Sequence, residues 1–220
     1  MHASRASHPA ALIISLHRMQ AHDPGGFMQA RNTIALPSSR RLRFSLLKTG
    51  MFALLLWAAS AAGAIPIPGT PVPITLQTFV VMLAALTLNW KEAAGAVGAY
   101  LAAGAMGAPV FAGGTSTMAL VGPSAGFLIG FLPGVIIAAL LKGKANTNGF
   151  LGYAHTASRY LLAAVIGCIG VVYAFGFLIQ AAVTGVPLGV VATASIGFVL
   201  GDLIKALVAS LAVSGLAKLF

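Results

Sequence analysis

Charge is what this chain has least of. Only 7% of its 220 residues are Asp, Glu, Lys or Arg, 59% are hydrophobic, and the mean hydropathy is +0.96. A soluble domain of this length needs far more charge to cover its surface, so the composition points to the membrane class. Cysteine is nearly missing, and the single Cys168 cannot form an intrachain disulfide. The five histidines have no metal-ligand spacing: His2, His8, His17 and His22 sit near the start, and His155 sits in a polar connection. No Ser/His/Asp arrangement and no phosphate-binding loop occur, so the chain itself is not expected to hydrolyse ATP, to act as an enzyme or to carry a cofactor.

What is present divides at about residue 43. Residues 1–43 hold Arg5, Arg18, Arg31, Arg40, Arg41 and Arg43 among scattered Ser, His and Pro. They lack the apolar core and small-residue cleavage site of a secretory signal. They read as a basic, disordered N-terminal arm or as a start assigned too early, with Met19, Met28 and Met51 as alternatives. Residues 44–220 read as a membrane domain. Residues 49–90, 93–141 and 160–201 carry no charge, and each run is long enough for two crossings. Turn-forming residues break each run once, at "IPIPGTPVP" (65–73), within 106–123 and at "AVTGVPLG" (182–189). The expected architecture is all-α, with six transmembrane helices at roughly 45–64, 74–90, 92–107, 124–141, 158–181 and 189–214.

Six crossings put both termini on one side. Every Lys and Arg except Lys205 falls on that side, so the positive-inside rule makes the termini cytoplasmic. The formal charge of +10 is then a topology signal that flanks a membrane, and no nucleic-acid groove follows from it. Small residues recur every four positions: Gly126, Gly130 and Gly134; Gly197 and Gly201; Ala58 and Ala62. Such faces let helices approach closely, ordinarily within one chain. The run from Ala58 to Ala64 is also the best candidate for docking a second membrane protein.

Polar groups within the spans are few. Asp202 and Lys205 are three residues apart, on one face of the last helix. Ionisable groups at that depth are costly and normally face a bundle interior or a wet cavity. A ligand using both would offer a carboxylate to Lys205 and N–H donors to Asp202. That describes a small, largely apolar acid with an amide-like or urea-like group. Gln77, beside Thr75 and Thr78, offers both a donor and an acceptor. Tyr100 and Tyr173 have hydroxyls that need partners. Each of these taken singly fits a satisfied packing role. Gly113, Gly114 and Thr115 form a flexible stretch above the same cavity, where backbone N–H groups can approach a ligand.

Residues 46–218 resemble the BioY family, the biotin-specific S components of energy-coupling-factor transporters. The resemblance rests on ordered motifs: "PITLQ" from Pro73, "PVFAGG" from Pro109, "GPSAGF" from Gly122 and "GDLIK" from Gly201. It implies six membrane helices with cytoplasmic termini, multi-pass residence in the cytoplasmic (inner) membrane, and biotin as the ligand. Asp202 and Lys205 match the family's polar ligand-binding pair, and the Gly113–Gly114–Thr115 loop would help close the pocket. The resemblance also implies docking, through small residues such as Ala58 and Ala62, onto a transmembrane coupling protein that works with two ATPase subunits. Two positions depart from the family pattern: Thr115 stands where an Asn is common, and apolar Leu128 or Ile129 stands where an Arg is common. The alternatives are a self-sufficient secondary transporter, with Asp202 carrying a proton, and a structural subunit with an inert pair. Association into a homo-oligomer stays open.

Overall fold

The protein is described here by a computed structural model, which covers residues 39–217. Predictions on Arg5, Arg18, Arg31, Lys218 and the four early histidines lie outside the described residues. The helices are α1 (Ser39–Ala61), α2 (Gln77–Thr87), α3 (Trp90–Ala105), α4 (Ala125–Leu141), α5 (Gly149–Thr184), α6 (Leu188–Ala194) and α7 (Ile196–Gly215). No β-sheet forms among the described residues, and the class is all-α. Three helices, α1, α5 and α7, are long and apolar enough to cross a membrane, and α2 and α4 are shorter apolar candidates. The protein is therefore a polytopic membrane protein. Its outer surface suits lipid: on α1, Leu46, Leu47, Leu54 and Trp57 all face outward, while Phe52, Leu56, Ala59 and Ser60 turn inward.

The helix boundaries differ from expectation in physically clear ways. Helix α1 already includes Ser39 to Arg43, five residues assigned to the arm, because Arg and Leu are good helix formers. Helix α2 is only 11 residues long. Before it, Pro71 and Pro73 hold the chain extended, and Ile65 and Ile74 pair through two reciprocal 2.9 Å hydrogen bonds. Helix α3 starts at a capping box, in which the Asn89 side chain accepts from the Lys91 and Glu92 N–H groups and Glu92 reaches back to the Asn89 N–H. Helix α5 starts at Gly149, about two turns earlier than expected, so His155 and Arg159 are helical. Its Thr156 is buried and ties back to the Asn146 backbone, donating at 3.1 Å and accepting at 2.9 Å. The last span is broken at Ser195, between α6 and α7.

The glycine stripe of α4 packs directly on α5. A Cβ on Gly126 would come within 2.3 Å of the Phe175 carbonyl, and one on Gly134 within 2.8 Å of the Gly167 carbonyl. Gly167 in turn would meet the Ala138 backbone nitrogen at 2.6 Å. Backbones this close leave no room for a side chain at these glycines. The other stripe behaves differently: a Cβ on Gly201 meets nothing within 4 Å, and one on Gly197 only the tip of Ile67 at 3.6 Å. On the charged side, Lys142 donates to the carbonyls of Leu86 (2.9 Å) and Leu88, closing the C-terminal end of α2.

Gly134→Ala should force α4 and α5 apart and cost about 1–3 kcal/mol, the usual range for overpacking. Gly201→Ala should be close to neutral. Thermal unfolding of both variants in detergent checks the pair, and equal melting temperatures would refute the packing account.

Candidate functional site

A cavity of about 380 Å³ opens between α2, α4, α5 and α7. The extended segment with Pro71 and Pro73 and the loop with Phe111 and Thr115 form part of its lining. Its wall is mainly apolar and aromatic. Phe127 packs edge-on to Tyr173 (5.8 Å between centroids), Phe177 (6.1 Å) and Phe198 (6.4 Å). Gly176 makes this wall possible, since a Cβ there would lie 2.4 Å from the Phe127 ring.

The polar floor is built around Asp202, which is 5% exposed. Helix α7 presents Asp202 and Lys205 on one face, and they form an ion pair at 2.9 Å. Burial of such a pair is tolerated only when its remaining donors and acceptors are also matched. They are. Asp202 Oδ1 also accepts from the Thr78 hydroxyl (2.7 Å), and Oδ2 accepts from the Tyr173 phenol (2.7 Å). Lys205 Nζ also donates to the Thr75 carbonyl (2.7 Å) and the Thr78 hydroxyl (3.0 Å). Three chain segments, around Thr75 and Thr78, around Tyr173 and around Asp202, converge on one ion pair.

The other sequence-predicted residues divide into four groups. Gln77 and Thr115 line the cavity with Asp202 and Lys205. Tyr100 stands behind Gln77 and does not line it. The Gln77 amide donates to the Tyr100 hydroxyl, which donates to the Val110 carbonyl at 3.1 Å. Gly113 and Gly114 sit in the adjoining turn with φ of 69° and 72°, a conformation that favours glycine. The turn is held by a Phe111–Thr115 bridge, and the Phe111 ring fills a slot over Gly104, where a Cβ would be 2.1 Å from the ring. Ala58 and Ala62 are elsewhere, exposed on and just after α1.

In the sequence Thr78 is only a neighbour of Gln77 and Tyr173 only a hydroxyl that needs a partner. Their partner Asp202 is 124 and 29 residues away, so no local spacing marks them. Of Leu128 and Ile129, the two apolar residues in the region where the resemblance expects an Arg, Leu128 is buried in the cavity wall and Ile129 is exposed. Lys205 is thus the one cation among the described residues lining the cavity.

A buried, matched ion pair at the floor of an aromatic-walled cavity inside a helical membrane bundle defines a solute-binding membrane protein. Comparison with known proteins narrows the class. The BioY family model matches residues 32–220, and the chain belongs to the BioY family. It is 38% identical to the biotin transporter BioY of Rhizobium etli over 167 residues, 76% of this chain and 89% of that protein. It is 38% identical to the biotin transporter BioY of Thermotoga maritima over 176 residues, 79% of this chain and 96% of that one. Among solved structures, the S component for biotin from an energy-coupling-factor (ECF-type) ABC transporter superposes with a TM-score of 0.75. That match has 26% identity and covers 83% of this chain and 95% of the other.

Tyr100→Phe keeps the ring that packs edge-on to Phe111 at 5.2 Å but removes the link from Gln77 to Val110. Leaving those buried groups unmatched should cost about 1–3 kcal/mol in unfolding, read by thermal denaturation in detergent. A variant as stable as the parent would show that the link contributes nothing.

Proposed function

We propose that this chain is the substrate-binding S component of an energy-coupling-factor transporter and takes up biotin across the cytoplasmic membrane. It is a transport protein and not an enzyme. The carrying observation is the Asp202–Lys205 pair at the floor of the apolar cavity, in a chain of the BioY family. Biotin offers the matching chemistry: an apolar bicycle, two ureido N–H donors, a ureido oxygen and a carboxylate. The ureido end sits at the floor, where Asp202 accepts an N–H. Lys205 has all three protons engaged by Thr75, Thr78 and Asp202, so it meets a ligand oxygen by exchanging one of these contacts. Gln77 and Thr115 supply further polar contacts, and Gly113 and Gly114 let the rim close over the ligand.

The topology that goes with this reading has six crossings and cytoplasmic termini, with α2 and α3 as the short pair. The basic residues Arg40, Arg41, Arg43, Lys91, Lys142 and Lys144 support it by clustering at one set of helix ends. Energy comes from outside the chain. The exposed Ala58 and Ala62 face of α1 docks on a transmembrane coupling protein that works with two ATPase subunits.

Purified protein in detergent should bind biotin without ATP. Asp202→Ala and Lys205→Ala should each weaken binding at least tenfold, as expected for lost hydrogen bonds to charged groups. Titration calorimetry checks this, and a folded parent protein that ignores biotin would sink the proposal. Ala58→Leu with Ala62→Leu should leave binding intact and abolish ATP-driven uptake in cells that supply the coupling module. Uptake that survives these changes but collapses with the proton gradient would favour a secondary transporter instead.

A further inference from the structure

The biotin-binding reading leaves open what makes Asp202 a directed acceptor instead of a charge that swivels toward Lys205. We infer that Tyr173 is a positioning residue for the substrate, and that the π-helical turn before it exists to aim its hydroxyl at Asp202. The inference rests on the reading of the cavity as a biotin site.

The carboxylate inventory is the starting point. An ionised carboxylate offers about four lone-pair sites, two on each oxygen. On Oδ1 both are taken, by Thr78 at 2.7 Å and Lys205 at 2.9 Å. On Oδ2 Tyr173 takes one at 2.7 Å. The protein's own donors therefore leave one site, on Oδ2, beside the phenol. Oδ1 has two partners whatever Tyr173 does. Among the described residues Oδ2 has Tyr173 as its one donor, so the phenol fixes the carboxylate at its second oxygen. With the phenol in place, the remaining lone pair has a set direction, and both Asp202 and Tyr173 line the cavity. Asp202 then receives one substrate N–H along that direction.

Local structure explains how Tyr173 comes to be there. Helix α5 is interrupted by a seven-residue π-helix, Val165–Val171, and Tyr173 is the second residue after it. A π-turn inserts an extra residue, which rotates everything beyond it by about 100° relative to an unbroken α-helix. Tyr173 thereby joins Val172 on the cavity side. The turn sits where Gly167 meets Gly134 and Ala138 of α4, so a close helix contact anchors the irregular segment. The ring is fixed as well, by Phe177 at 5.3 Å and Phe127 at 5.8 Å. A phenol held on both its ring and its hydroxyl is a rigid positioning element.

Tyr173→Phe is the test, since it removes one oxygen and keeps the ring packing. The parent protein and the variant are titrated with biotin and with two biotin derivatives, each methylated on one of the two ureido nitrogens. The variant should bind biotin about ten- to a hundredfold more weakly, the range for a lost hydrogen bond to a charged group. The parent should discriminate strongly against the derivative whose methyl replaces the N–H that meets Asp202. The variant should lose most of that discrimination. A merely structural tyrosine would weaken all three ligands by the same factor, and that result would overturn the inference, as would unchanged biotin affinity. A parent protein that binds none of the three would defeat the biotin reading itself. Thermal unfolding without ligand verifies that the variant is folded.

Discussion

The structure is organised around the need to match one buried carboxylate. Asp202 sits among apolar helices, where an unpaired charge is prohibitively costly. One lysine on the same helix is not enough, because a carboxylate and an ammonium each retain unmet hydrogen-bonding capacity after pairing. Thr75 and Thr78 from the start of α2 and Tyr173 from α5 complete it. The result ties three distant parts of the sequence to a single point. It also explains the irregularities nearby. Helix α2 begins late, so the Thr75 carbonyl precedes the helix and accepts from Lys205, and α5 carries a π-turn upstream of its tyrosine.

The sequence makes some of this plain and hides the rest. Asp202 and Lys205 stand out because they interrupt an otherwise apolar run, and Gln77 for a similar reason. The glycine stripe of α4 is legible as a packing face, although its partner helix is not. Gly197 and Gly201 have the same spacing and no close neighbour, since spacing alone does not say which way a face turns. Thr78 and Tyr173 gain meaning only through Asp202, far away in sequence. The π-turn in "VIGCIGV" has no signature that separates it from an ordinary apolar helix. The stretch before Tyr160 reads as a connection because of its His, Thr, Ser and Arg. It folds as helix because Thr156 finds its partners in the preceding loop.

The rim follows a different logic from the floor. Its polar contacts are sparse, and shape does most of the positioning. Phe111 inserts where Gly104 leaves room, and the turn beyond it uses two glycines in left-handed conformation. The extended segment on the other side is held by prolines and one isolated bridge. The floor, by contrast, is held by four hydrogen bonds to one ion pair.

The pairing of Asp202 with Lys205 also has an electrical consequence. An ion pair is neutral as a unit, and Lys205 is the one cation lining the cavity among the described residues. The charge of the loaded site is then simply the charge of its cargo. A carboxylate cargo moving toward an inside-negative compartment does work against the membrane potential, about 2.3 kcal/mol per elementary charge for each 100 mV traversed. With no second cation in the cavity to travel beside it, the site leaves that work to whatever drives the transport cycle.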